Sequence, residues 1–200
     1  TFLPPFRDCV VDGRGAAVMC SYNAVNGVAA CANAALQQGF LRGQLNFSGH
    51  VVSDCGGVAD VTNVRYPASK QCIANVGGRV HNSDAPECFA RPSCARNASA
   101  GAAACALNAG CDLDCGGLYK ANMQQALQSG AVLEEQLDAA LVRLFLSRFK
   151  TGEFDPPEQN PYRQIPPSAA NSAEHQALAL SAAAEGLTLL KNARRTLPLS

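Results

Sequence analysis

Three short apolar runs, each stopping abruptly in a polar cluster, set the main constraint on how this chain folds. Ala16 to Cys20 runs into Ser21-Tyr22-Asn23, Val51-Val52 into Ser53-Asp54-Cys55-Gly56-Gly57, and Ala104 to Ala109 into Gly110-Cys111-Asp112-Leu113-Asp114-Cys115. Runs this short and this apolar read as buried parallel strands, because a strand covered on both faces loses the polar half of its alternation. The Gly and Asp residues then belong to loops at the carboxyl tips of the strands. Helical spacing fills the intervals. Ala34, Leu36, Phe40, Leu41 and Leu45 mark one helix within 33–45, a second runs from Leu118 to Ser129, and Leu133, Leu137, Leu141, Leu144 and Phe145 mark a third within 133–149, with Gly130 as the stop between the last two. Strands alternating with helices predict an α/β architecture with a parallel sheet.

Other stretches break this rhythm. Val64 to Asn97 holds three prolines and three cysteines with no period, and reads as a long irregular insertion on the surface. Thr151 to Ala170, with Pro156, Pro157, Pro161, Pro166 and Pro167, reads as an extended linker. Asn171 to Glu185 follows as an Ala/Leu-rich helix, and Gly186 to Leu190 as the start of another strand, so a second domain opens within 171–200. The first ten residues, TFLPPFRDCV, are strand-like and turn-like. They lack an initiator Met and the parts of a signal peptide, as expected of the middle of a longer protein.

Charge narrows the partners. Sixteen basic residues cancel sixteen acidic ones, so no overall field draws the chain to nucleic acid or to an anionic membrane, and a neutral ligand suits it better. No apolar run reaches the roughly 18 to 20 residues of a membrane span. Ten cysteines, an even number, point to an oxidising compartment and several disulfides. Two sequons agree with a secreted glycoprotein, Asn46-Phe47-Ser48 and Asn97-Ala98-Ser99. Cys72, His81, Cys88 and Cys94 come nearest to a metal set, but their spacing fits no zinc knuckle, and no metal is expected.

The chemistry concentrates in Gly49-His50-Val51-Val52-Ser53-Asp54-Cys55-Gly56-Gly57. An apolar strand lifts a carboxylate to its carboxyl end, and glycines let the backbone turn beside a ligand; in barrel enzymes that edge carries the catalytic groups. A strand-Asp-Gly turn is equally an ordinary loop, and Asp112 and Asp114 end a similar run. His50 stands at the amino end, the wrong edge for catalysis, and His81 and His175 have no identifiable partner.

Taken in order with Met19-Cys20-Ser21-Tyr22-Asn23-Ala24-Val25-Asn26-Gly27 before it and Asn108-Ala109-Gly110-Cys111-Asp112-Leu113-Asp114-Cys115-Gly116 after it, this segment resembles glycoside hydrolase family 3, in its plant-type β-xylosidase and α-L-arabinofuranosidase branch. Phe2-Leu3-Pro4-Pro5-Phe6, Leu189-Leu190-Lys191-Asn192 and Leu197-Pro198-Leu199 extend the likeness over nearly the whole chain except Val64 to Asn97. The resemblance implies a (β/α)8 TIM-like barrel followed by an α/β sandwich domain. Residues 1–150 would be the C-terminal part of the catalytic barrel, with 64–97 as an insertion, 151–170 the linker and 171–200 the start of the sandwich.

Residue by residue, the likeness carries Asp54 over as the catalytic nucleophile and Tyr22 and Met19 as walls of the pocket for the terminal sugar. Asp112 is a candidate sugar contact. Cys55 stands where many relatives have Trp. The branch implies a Cys55–Cys115 disulfide that narrows the pocket for a pentose, and a second, Cys20–Cys31; the other six cysteines stay unassigned. The family's acid/base Glu would lie beyond Ser200, and its Lys-His and Arg sugar ligands before Thr1, so these 200 residues alone are expected to be inactive.

The implied activity is retaining, exo-acting, cofactor-free release of terminal β-1,4-xylosyl residues from xylo-oligosaccharides outside the cell. The implied partners are the oligosaccharide and the remainder of the same polypeptide. An α-L-arabinofuranosidase or β-glucosidase remains open, as does a carbohydrate-binding protein that has lost catalysis. Ala29, where relatives commonly have Pro, and the insertion after the Asp54 strand favour that last alternative; the retained Asp54 opposes it.

Overall fold

The computed structural model describes residues 2–62, 98–194 and 197–198, so the insertion 64–97, its cysteines, His81 and the Asn97 sequon lie outside the described residues. The fold is mixed α/β and divides into two units, Thr1–Thr151 and Gly152–Ser200.

The first unit opens with helix, not strand. Pro4 and Pro5 sit in the first turn of α1 (Leu3–Arg7), where a proline's missing N–H costs nothing and its fixed φ suits the helix; the chain then widens into a π-type turn over Asp8–Asp12. Strand β1 (Ala17–Cys20) follows, then a tight hairpin of β2 (Ala24–Val25) and β3 (Val28–Ala29) around Asn26-Gly27, both at positive φ. Helix α2 (Ala35–Gln44) is wound with the wider π-type repeat, and Gln37 and Leu41 are buried on it. Strand β4 (His50–Ser53) then pairs in parallel with β1, in the register Ala17 to His50 through Cys20 to Ser53.

Ala104–Ala109 is not a strand. It is the second half of helix α3 (Ala98–Ala109), whose residues from Ala100 on are almost all buried. A helix apolar all round shows no helical period, and its alanines, the best helix formers, are small enough to let neighbouring elements pack closely. The extended segment comes after Gly110: Leu113 bridges Val52 in parallel, so β4 lies between β1 and residues 111–113. Helix α4 (Leu118–Gln128) ends at Gly130, φ 70°, in a paired C-cap. Ala131 N–H reaches Ala126 O at 2.9 Å and Gly130 N–H reaches Leu127 O at 2.9 Å. Helix α5 (Glu134–Lys150) starts with Gln136 Oε1 accepting the Leu133 N–H (2.8 Å), with two glutamates in its first turn and Arg148 and Lys150 in its last, as the helix dipole favours.

The core lies behind the strands. Val51, Cys20, Cys31, Leu41, Phe47, Val58, Ala106 and Cys111 form one buried cluster, and Val61, Val132 and the small faces of α3, α4 and α5 form another; Leu118 and Tyr119 touch both. Each large aliphatic side chain buried here contributes about 1.5–3 kcal/mol. In the parallel register Val18 and Cys20 share this core face with Val51 and Ser53, which puts Met19 and Val52 on the other face.

Residues 151–170, all but Thr151 in the second unit, are not extended as their prolines suggested. Three 3-10 turns, Pro157–Gln159, Pro161–Gln164 and Pro167–Ala169, follow one another, each with proline in its first turn. Asn160 knits them, donating to Gly152 O (3.2 Å) and accepting from Tyr162 N–H (3.0 Å). Helix α6 (Ala173–Gly186) is capped by Ser172, whose hydroxyl accepts the His175 N–H at 3.3 Å. Residues 187–190 form no strand, because no neighbouring strand among the described residues supplies ladder partners. No helix among the described residues is long and apolar enough to cross a membrane.

Candidate active site

Asp54 stands one residue past β4, at its carboxyl end. Its N–H donates to Cys20 O (2.8 Å), carrying the β1–β4 ladder one step further, and its carbonyl accepts the Gly57 N–H (2.8 Å) in a tight turn. The Cys55 N–H donates to the carboxylate at Oδ1 (2.7 Å). The side chain is half-buried, so it is held but reachable. Pleat alternation along β4 sets Asp54 on the side of Val52 and Met19.

Tyr22 comes from the turn after β1, which a Ser21–Asn23 side-chain hydrogen bond closes. Its hydroxyl donates to Cys55 O at 2.6 Å. Partial burial first, then the Asp54 charge and a hydrogen bond to that carboxylate, raise the phenol's pKa. The shift does not change its state at neutral pH, where a tyrosine is protonated in any case, so Tyr22 is a neutral hydroxyl beside the carboxylate. Met19 and Tyr22 are 55% and 45% exposed, and the strand register puts Met19, opposite Val52, on the same face as Asp54. Cys55 and Cys115 are disulfide-bonded (Cα–Cα 4.3 Å), linking the Asp54 loop to the loop after residue 113, and Cys20 and Cys31 are bonded across the β2–β3 hairpin (Cα–Cα 5.1 Å). Chemically, this is an anchored carboxylate open on one side, with a proton donor next to it and a rigid rim.

Asp112 does not belong to that site. Its side chain is fully buried. Oδ2 accepts from Arg42 (2.6 Å) and from the Val51 N–H (2.8 Å), and Oδ1 accepts from Arg143 Nε and Nη2 (2.9 and 2.6 Å). Val51 is at the amino end of β4, about 10 Å along the strand from Asp54. Asp112 is thus a clamp between α2, α5 and the strand, not a sugar contact. Sequence could not pair it, since Arg42 and Arg143 lie 70 and 31 residues away. His50 is at the same edge, with Nδ1 2.9 Å from Ser147 Oγ. A surface cleft of about 240 Å³ also opens there, lined by Arg14, Asn46, Phe47 and Lys150, and it does not include Asp54.

Among the described residues, the sulfurs of Cys20, Cys31 and Cys111 lie within 4.8 Å of one another. Two of them form a disulfide, and burial pushes the Cys111 thiol up to about 12, so the group packs the core and offers no thiolate to a metal. Asp114, Ser53 and Tyr119, which sequence reasoning did not connect, form a network directly behind Asp54.

Residues 1–76 match the glycosyl hydrolase family 3 N-terminal domain. The chain is 42% identical over 201 residues to a probable exo-1,4-beta-xylosidase of Neosartorya fischeri, covering 99% of this chain and 22% of the relative. It is 37% identical over 201 residues to a beta-xylosidase/alpha-L-arabinofuranosidase of Medicago sativa, covering all of this chain and 22% of that protein. Among solved structures, a family 3 exo-beta-xylosidase in complex with a xylobiose aziridine activity-based probe superposes with a TM-score of 0.72 at 33% identity, covering 99% of this chain and 22% of that one. The chain thus spans about a fifth of the length of these relatives. Residues 1–76 thus belong to the glycosyl hydrolase family 3 N-terminal domain, and the chain as a whole is similar to a segment of family 3 xylosidases.

Proposed function

We propose that this chain carries the nucleophile of a retaining exo-glycosidase that releases terminal β-1,4-xylosyl residues from xylo-oligosaccharides. The observation that carries the reading is Asp54: a half-buried carboxylate at a strand's carboxyl tip, fixed by the Cys55 N–H and flanked by the Tyr22 hydroxyl. Asp54 attacks the anomeric carbon while a protonated acid on the opposite face releases the leaving group; water then hydrolyses the glycosyl-aspartate ester. In retaining enzymes the two carboxyl groups stand about 5–5.5 Å apart. The acid is a Glu from the remainder of the polypeptide. On this reading 1–150 is the C-terminal part of a (β/α)8 barrel, 151–170 connects it to the next domain, and 171–200 begins an α/β sandwich.

Full-length protein assayed on nitrophenyl β-xyloside, α-L-arabinofuranoside and β-glucoside tests the substrate. The xyloside is expected to have the highest kcat/KM, and a glucoside preference would overturn the choice of sugar. The Cys55–Cys115 bridge narrows the rim where a hexose would place its exocyclic hydroxymethyl. Opening it with Cys55→Ser and Cys115→Ser together is expected to raise the glucoside-to-xyloside ratio of kcat/KM by about tenfold, the scale that one carbon's worth of pocket discrimination reaches. An unchanged ratio would remove the bridge from specificity.

The same reading makes the protein secreted, with glycans at Asn46 and Asn97. Asn46 is exposed at φ 52° in the turn before β4, on the edge away from Asp54, so a glycan there leaves the sugar pocket clear. Full-length protein secreted from a eukaryotic host is expected to lose mass at Asn46 on treatment with peptide N-glycosidase, and Asn46→Gln to lose that shift with kcat unchanged. An unmodified Asn46 peptide in the secreted protein would refute this.

A further inference from the structure

We propose that Asp114 is a positioning residue for Asp54, acting through Ser53; the inference rests on the reading of Asp54 as nucleophile. Ser53 is the last residue of β4, only 1% exposed, and its side chain lies on the core face, opposite Asp54. A buried hydroxyl needs partners, and this one has two: it accepts the Cys115 N–H at 2.9 Å and donates to Asp114 Oδ1 at 3.4 Å. The other carboxylate oxygen of Asp114 accepts the Tyr119 N–H (3.0 Å) in the first turn of α4, where the helix's exposed amides and dipole favour an anion. Asp114 is therefore anchored to a helix on one side and holds the residue bonded to the nucleophile on the other.

The two loops are joined at a second level. The Gly56 N–H donates to Cys115 O (2.6 Å) and the Cys55–Cys115 disulfide lies beside it, so the residues on both sides of Asp54 are tied to 113–117. Gly116 permits the approach: a Cβ there would stand 3.0 Å from Asp114 Oδ1 and 3.4 Å from the Gly56 nitrogen. The Cys55 N–H holds Oδ1 from within the turn, Tyr22 meets the carboxylate from the loop after β1, and the Asp54 N–H extends the ladder to Cys20 O, so where the carboxylate stands depends on the backbone of 53–56 keeping its place. That backbone is what Asp114 and Ser53 hold in place. With both oxygens engaged from within the fold, Asp114 acts as an anchor behind the nucleophile rather than as an acid or base on the substrate.

A misplacement of about 1 Å at a reacting group costs on the order of 100-fold in rate. In the full-length enzyme, Ser53→Ala and Asp114→Asn are each expected to lower kcat on nitrophenyl xyloside by about 10- to 100-fold, with KM moved by less than about threefold. Inactivation by a 2-fluoroxyloside should slow by the same factor while the label still lands on Asp54. The double variant should be no slower than the worse single one, because both changes break one linkage. Unchanged kcat in Asp114→Asn, a loss confined to KM, or multiplicative losses in the double variant would overturn the proposal. Should Asp114→Asn fail to accumulate, Ser53→Ala, which deletes a single buried oxygen, decides alone: unchanged kcat overturns the proposal. Asp54→Asn, run in parallel, separates the two ideas, since retained turnover there sinks the nucleophile reading, whereas a dead Asp54→Asn beside an unaffected Asp114→Asn sinks only the positioning role.

Discussion

Replacing Asp54 with Asn in the full-length enzyme is expected to lower kcat by at least about a thousandfold while binding of xylose changes by only a few-fold. The reason lies in what the two side chains share and what they do not. Asn keeps the size of Asp and an oxygen to accept the Cys55 N–H that now meets Oδ1 at 2.7 Å, so the turn through Gly57 survives. It lacks the anionic oxygen that forms the bond to the anomeric carbon, and a group needed only in the reaction leaves ground-state binding nearly intact when it is lost. Tyr22 sharpens the measurement: burial, the largest cause of its raised pKa, remains, but the added push from the Asp54 charge is gone, so the phenol should titrate lower in the variant. Mass spectrometry of wild-type enzyme treated with a 2-fluoroxyloside should find the ester on Asp54 and nowhere else. An Asp54→Asn enzyme that keeps most of its turnover, or a label on another residue, contradicts the assignment.

Asp112→Ala is expected to have a comparably large effect of a different kind, on stability. The carboxylate is fully buried and compensates two cations, Arg42 at 2.6 Å and Arg143 at 2.6 Å, while also accepting the Val51 N–H. Its removal leaves two partly buried guanidinium groups and one backbone donor without their acceptor. Losing one partner of a buried ion pair costs about 3–5 kcal/mol, far more than an exposed pair. Arg42 bears the consequence most directly, because burial already lowers its pKa and Asp112 is what opposes that shift. Thermal unfolding of the full-length variant should therefore fall by at least about 5 °C, with kcat and KM of the surviving folded enzyme within about threefold of wild type. A variant with unchanged melting temperature and a raised KM would restore Asp112 to the sugar site.

The two aspartates show why similar sequence settings part company in function. Asp54 and Asp112 each follow a short apolar run, and each precedes glycine within a few residues. One ends a strand and stands at its carboxyl tip. The other begins an extended segment, since the alanines before it are helical, and so it lies at the opposite edge, where α2 and α5 bring their arginines. Composition could not separate the cases, because an apolar alanine run suits a buried strand and a buried helix alike.

What the amino-acid order alone determined was local and ordered: Val51-Val52-Ser53-Asp54-Gly-rich turn, the Ser21-Tyr22-Asn23 turn before it, the helical spacing of 118–129 and 133–149, and Gly130 as the stop between them. These depend on neighbours a few residues apart, for which propensity and periodicity suffice. Tertiary structure decided the rest. It made 104–109 a helix, wound the proline-rich 151–170 into successive turns, left 187–190 without strand pairing, moved Asp112 into a buried clamp with Arg42 and Arg143, and set Asp114 behind Ser53. Each of those outcomes turns on contacts with groups tens of residues away or on the presence of a strand partner, and burial strengthens or forbids such contacts only once the chain has closed around them.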